Sequence, residues 1–173
     1  MDEVTGFPLD RAARLGLSLR AVRADDMAFL SALYATTRAD ELVMTGWPEA
    51  TKSLFVVQQF TAQHAEYLSR FPDAARTVVE RGGAAIGRLY VNSGEAACHL
   101  IDITLLPAQC GHGFGTALLG DLQDHAARLG KPLTLSVLAT NPARRLYDRA
   151  GFRTSETGAS HNRMVWKPSR NLR

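Results

Sequence analysis

The most constraining stretch is Gly111-His112-Gly113-Phe114-Gly115. Three glycines at alternate positions stand between an apolar run, "HLIDITLLP", and an apolar-periodic stretch, "TALLGDLQDHAARL". A strand, a tight turn and a helix start are expected there in that order. Glycine lets the backbone take unusual dihedrals and approach a ligand closely. The first helical turn offers unpaired amides and the positive end of the helix dipole, so the junction has the makings of an anion cradle. Spelling excludes two common versions. A P-loop requires Gly-Lys-Ser/Thr, and here Gly115 is followed by Thr116-Ala117. A dinucleotide fingerprint requires G-x-G-x-x-G, but Thr116 takes the place of the last glycine. Taken alone, the run reads equally well as a tight strand-to-helix turn.

The chain around it has 173 residues, 46% of them hydrophobic, which suits a single domain with a proper core. No apolar run approaches the ~18 residues of a membrane span, so no membrane partner is expected. The opening "MDEVTGFPLDRAARLGLS" lacks an apolar segment behind a basic one and is not read as a signal peptide. Cys98 and Cys110 are too few for a disulfide framework and lack zinc-ligand spacing, so no metal is expected. A reducing cytoplasm is the simplest setting. The net charge of +3 is spread among interspersed acids, with a concentrated basic tail only in "KPSRNLR". A basic balance can suggest a nucleic-acid partner and also suits an anionic small molecule, and composition does not decide between them.

Residues 1–16 read as a weakly specified, disordered lead-in, 17–168 as one domain and 169–173 as a basic tail. Leu17–Arg23 alternates like a strand. A helix follows, with Asp25 placed as its cap and Phe29, Leu30, Leu33 and Tyr34 on one stripe. A second helix is expected from about Pro48 to Phe71. "RTVVER", "AIGRLYVN" and "ACHLIDITLLP" read as strands, the first two joined by a Gly82-Gly83 hairpin turn. A helix from Gly115 to Leu129 closes at Gly130. "LTLSVLA" is a strand, and "NPARRLYDRAGF" a short helix with Asn141 as N-cap, Pro142 at its first position and Gly151 past its end. "FRTSETG" and "NRMVWKP" form a last pair of strands. The sum is an α+β domain with a mixed, largely antiparallel central sheet flanked by helices.

The glycine loop and "TNPARRLYDRAGF" about twenty-five residues later, a helix ending in Leu-Tyr and then Gly-Phe, together resemble the GNAT superfamily of N-acetyltransferases. The order of elements from Leu17 to Trp166 matches as well. The resemblance implies acetyl-CoA as the acyl donor and an amine as the acceptor. It implies that the amides of Gly111, His112, Gly113, Phe114, Gly115 and Thr116 bind the coenzyme pyrophosphate. It places the pantetheine arm along the strand at Ile103, Leu105 and Leu106, where an amide chain can mimic a neighbouring strand. Cys110 departs from the family pattern, which usually has Arg or Gln there, so the grip falls on the amides. Asn141 is a helix cap first and a coenzyme contact second.

Acetyl transfer to an amine needs a neutral nucleophile, although a free lysine-type amine has a pKa of ~10.4. It also needs stabilisation of the departing thiolate. The resemblance gives the proton donor as Tyr147; as part of the stripe Ala143, Leu146, Tyr147 and Ala150, it also reads as core packing. For the base, His99 and Asp102 on the strand before the loop rank equally, each with a structural alternative. Strict alternation puts them on opposite faces unless a bulge intervenes. Glu41 ranks third. Glu41 and Trp47 are the candidate acceptor-site residues, with a solvated helix end and a core plug as their ordinary readings. The reading is a cytoplasmic acetyl-CoA-dependent N-acetyltransferase, with a homodimer left open. Its rivals are an acyl-CoA-binding domain that has lost catalysis and, less favoured, a basic nucleic-acid-binding domain.

Overall fold

Seven strands between Leu17 and Trp166 join into one sheet with helices on both faces. The structure, a computed structural model, describes residues 7–169. In chain order the elements are α1 (Arg11–Arg14), β1 (Leu17–Ala21), α2 (Met27–Met44), α3 (Glu49–Arg70), β2 (Ala75–Arg81), β3 (Ala84–Ser93) and β4 (Cys98–Leu105). Then come α4 (Phe114–Arg128), β5 (Leu133–Leu138), α5 (Arg144–Arg149), β6 (Arg153–Thr157) and β7 (His161–Trp166). The strand order is β1-β2-β3-β4-β5-β7-β6. Every neighbouring pair is antiparallel except β4 and β5, as expected of a largely antiparallel mixed sheet.

One face buries Leu89, Val91, Leu100, Leu133, Leu135 and Met164 against α4 residues such as Leu118 and Leu122. Helices α2 and α3 form a second cluster on the other side, built on Leu30, Tyr34, Leu42, Val56 and Phe60. Gly87 marks the tightest point of the sheet, since a Cβ there would lie 2.4 Å from the Thr104 carbonyl oxygen. No larger residue fits without moving β3 from β4.

One expectation is corrected. Helix α2 is entered through a 3-10 turn, Ala24–Asp26, and Asp26, not Asp25, accepts the Arg23 amide at 2.7 Å. Asp26 also receives both terminal nitrogens of Arg20, at 2.8 Å each, and this hydrogen-bonded cation holds its carboxyl below the ordinary range. The turn shifts the helix start by one residue, so the adjacent acid takes over. Of the lead-in, residues 1–6 lie outside the described residues, as do residues 170–173 of the tail. From residue 7 the chain is packed. Phe7 is fully buried 5.2 Å from the His125 ring, and Asp121 of α4, only 1% exposed, accepts the amides of Asp10, Arg11 and Ala12 at 2.9–3.1 Å. One buried carboxylate thus satisfies the orphan donors at the start of α1. Arg11 reaches Asp124 one turn further along. Sequence periodicity misses this because the partner lies more than a hundred residues away.

Among the described residues, no helix is long and apolar enough to cross a membrane. Asp121→Ala is expected to cost about 2 kcal/mol or more, because it strands buried amide donors. Urea denaturation checks the loss, and limited trypsin digestion at Arg11 and Arg14 checks release of the segment.

Candidate active site

Strands β4 and β5 run parallel for only three residues, Cys98–Leu100 beside Leu133–Leu135. Beyond that point β5 continues to Leu138 on β7, while β4 continues to Leu105 on β3. The two strands therefore part, and among the described residues no strand pairs with the β4 edge from Ile101 to Leu105. Its peptide groups on that edge are available to an extended partner. Ile103 and Leu105 are on this stretch, with side chains packed towards the α4-side core, and the Leu106 amide bonds to the Ile86 carbonyl at 2.8 Å.

The glycine loop lies at the end of the open edge. Gly111 and Gly113 have φ of 78° and 80°, and a Cβ on either would meet nothing within 4 Å. The left-handed backbone, not crowding, is what calls for glycine at these two positions. The first helical bond of α4 runs from the Ala117 amide to the Gly113 carbonyl. Among the described residues, the amides from Gly111 to Thr116 donate to no protein acceptor. Phe114 anchors the turn in the core beneath the Arg81 guanidinium, 5.0 Å from the ring centre. His112 donates from Nδ1 to the Cys110 carbonyl at 3.0 Å and stacks on Phe114, so it braces its own loop. The Cys110 thiol turns back to the Leu105 and Leu106 carbonyls. What the loop presents is backbone, at the positive end of a fifteen-residue helix.

Helix α5 packs against the start of α4, where a Cβ on Gly115 would lie 3.4 Å from Leu146. Asn141 accepts the Ala143 amide at 2.9 Å and so caps the turn into α5. Tyr147 is 7% exposed, 5.9 Å from the Phe152 ring, and its hydroxyl has no partner among the described residues. Burial, reinforced by the Asp102 charge, pushes this phenol well above its ordinary range, so it carries its proton at neutral pH.

The two candidate bases share a face. In the β3–β4 register, Tyr90 faces Asp102 and Val91 faces Leu100, leaving Ile101 as an extra residue in a bulge. His99, opposite Asn92, therefore points the same way as Asp102, opposite Tyr90. Their surroundings separate them. Asp102 accepts from Arg88 at 2.7 Å, Tyr67 at 3.1 Å and Thr104 at 2.6 Å. The Arg88 side chain is 2% exposed and also reaches Gln63 of α3. Burial opposes its charge, but Asp102 outweighs burial and holds the guanidinium protonated. His99 is half-buried, stacked on Phe71 with ring centres 5.4 Å apart, and its Nδ1 lies 2.9 Å from the Thr134 hydroxyl. Burial, then the charges of Arg70 and Arg163, lower its pKa below the usual 6.5, so the ring is neutral at pH 7.

Glu41 is exposed and bound to Arg38 through both oxygens at 3.0 Å, and Trp47 is 41% exposed, edge-on to Phe55. Both lie at the junction of α2 and α3. The described residues contain no cluster of metal-ligating side chains. Sequence reasoning missed Arg88, Tyr67 and Thr134. The signal for Arg88 was a lone charge inside the apolar run "AIGRLYV".

A mixed sheet opened between two parallel strands, with an amide-lined loop at the end of the opening, is the architecture of an acetyltransferase. The chain belongs to the acetyltransferase (GNAT) family, whose model matches residues 36–152. The fold is similar to PaiA N-acetyltransferase from Thermoplasma acidophilum in complex with coenzyme A, with TM-score 0.64 and 17% identity over 87% of this chain and 98% of that one. It is similar to an acetyltransferase from Thermus thermophilus, with TM-score 0.62 and 19% identity over 87% and 96%. Mycobacterium smegmatis RimJ in complex with CoA-disulfide gives TM-score 0.57 and 20% identity over 91% and 84%. No curated protein sequence matches at a significant level.

Removing the Asp102 carboxylate leaves the Arg88 charge buried and uncompensated. Asp102→Ala is expected to lose about 3 kcal/mol of folding stability, measured by chemical denaturation.

Proposed function

We propose that the chain is a cytoplasmic acetyl-CoA-dependent N-acetyltransferase that transfers acetyl to a primary amine by direct attack. The observation that carries this reading is the open β4 edge leading into the loop amides of Gly111 to Thr116, which are unpaired among the described residues. An extended amide chain with a pyrophosphate at its end has the chemistry that such a surface binds: strand-like pairing, then anion capture. The fit falls to the backbone, because Cys110 and His112 are turned to carbonyls of their own segment. Coenzyme-bound members of the fold, such as the PaiA and RimJ structures, support the same assignment.

Acetyl-CoA supplies an activated acetyl thioester when bound. The chain's own contribution is position and proton transfer. Nε2 of His99 takes the proton from the attacking amine, a role open to an imidazole that is neutral at pH 7. The phenol of Tyr147, kept protonated by burial, gives its proton to the departing sulfur. Asp102 does not serve as the base in this scheme, since both its oxygens already accept hydrogen bonds. The acceptor amine is placed on the half of the sheet that α2 and α3 leave uncovered, where Ser136, Leu138 and Arg163 are exposed on the His99 face.

Thermal unfolding with and without acetyl-CoA tests the central claim. Ligand at ~100 times its dissociation constant adds about 2.7 kcal/mol, so the melting temperature is expected to rise by several degrees; no shift at millimolar coenzyme rejects the reading. The proton roles are tested by pH profiles of kcat/KM. In the native enzyme the rate is expected to rise with pH through a value below 6.5, as His99 loses its proton. H99Q should remove that limb. Y147F should lower kcat by about tenfold or more with little change in KM.

A further inference from the structure

The geometry points to Thr134 as a positioning residue that fixes His99 as its Nδ1–H tautomer, so that the Nε2 lone pair is the proton acceptor on the open half of the sheet. This rests on the acetyl-transfer reading above. His99 and Thr134 are directly paired across the short parallel contact of β4 and β5 and point to the same face. Thr134 Oγ1 lies 2.9 Å from His99 Nδ1 and 3.3 Å from the Cys98 carbonyl oxygen. A carbonyl only accepts, and a hydroxyl has one hydrogen. With that hydrogen on Cys98, the threonine oxygen offers a lone pair to His99, and Nδ1 must carry the ring proton.

The other nitrogen is then a base by elimination. Nε2 has no protein partner among the described residues, yet it is not sealed off as His64 Nδ1 and His125 Nε2 are. Phe71 fixes the ring plane by stacking at an interplanar angle of 23°, and the Arg70 guanidinium caps Phe71 from beyond, 5.4 Å from its centre. The charged groups that bear on the ring are Arg70 from α3 and Arg163 from β7, both cationic. Asp102 shares the face but is engaged by Arg88, Tyr67 and Thr104.

Proton transfer also leaves the anchor undisturbed. As the amine forms its bond to the acetyl carbon and the carbon–sulfur bond breaks, the amine proton moves to Nε2, while Tyr147 protonates the sulfur. The imidazolium keeps its Nδ1–H on Thr134, and the Nε2 proton then passes to solvent as Tyr147 regains one. No side chain needs to rotate at any point.

The test is two-bond proton–nitrogen correlation NMR of 15N-labelled protein at a pH where His99 is neutral, with H99Q to assign its signals. The native protein is expected to show the Nδ1–H pattern. T134V should move the ring towards the Nε2–H form that free imidazole side chains favour, with the other histidine signals unchanged, while T134S keeps the native pattern. An Nε2–H pattern in the native protein, or an unchanged pattern in T134V, overturns the inference. On any amine the enzyme turns over, kcat/KM should drop by about tenfold or more in T134V and recover in T134S. If H99Q leaves acetyl transfer unaffected while the NMR result holds, the base assignment fails and the Thr134 anchor stands.

Discussion

The buried pair of Arg88 and Asp102 is the constraint on which the helical side of the site depends. A guanidinium and a carboxylate removed from water are tolerable only when their bonding capacity is largely filled. Arg88 comes from β3, Asp102 and Thr104 from β4, and Tyr67 and Gln63 from α3. The network therefore fixes where α3 crosses the sheet, and with it Phe71 just past the end of that helix. The filling is incomplete, since among the described residues Arg88 Nε and the Tyr90 hydroxyl are buried without hydrogen-bond partners. The Arg88 guanidinium lies 5.3 Å over the Tyr90 ring, which recovers part of that cost through cation–π attraction.

The other half of the site is organised by what is missing from the sheet. Three residues of parallel pairing are enough to hold β4 and β5 at one end, and the connecting helix α4 lies over the core on the opposite face. Past Leu100 the twist of the two antiparallel halves carries the strands apart. The gap exposes the peptide edge of β4, directs it at the loop before α4, and brings α5 with Tyr147 up beside the same helix. Asp121 and Phe7 brace α4 from the outside. The glycine loop, the helix that carries Tyr147 and the N-terminal strap thus all rest on α4.

Strand and helix positions were legible wherever the apolar period was strong, as in α3, β3 and α4. The glycine loop was legible because three glycines in five residues have few uses. Two kinds of feature escaped. Long-range polar contacts, such as Asp121 with α1 or Thr134 with His99, leave no trace in local periodicity. The bulge at Ile101 escaped for a different reason: "HLIDITLL" is apolar on both parities, so nothing in it marks where alternation slips. The relation between His99 and Asp102 could be posed from sequence but needed the β3 register for an answer.

The bulge gives the strand one residue of slack. A one-residue slip in regular pairing reverses every side chain beyond it. Pairing every residue of β4 regularly would therefore turn His99 into the core, and Cys98 and Leu100 out of it. Deleting Ile101 would not: Leu100 opposite Val91 and Asp102 opposite Tyr90 would become neighbours, and His99 and Asp102 would still share a face. Ile101 is thus a spare residue, stored where the ladder can hold it without inverting either end of the strand. The face that His99 shows depends on where the ladder takes up that residue, and not on the length of the strand alone.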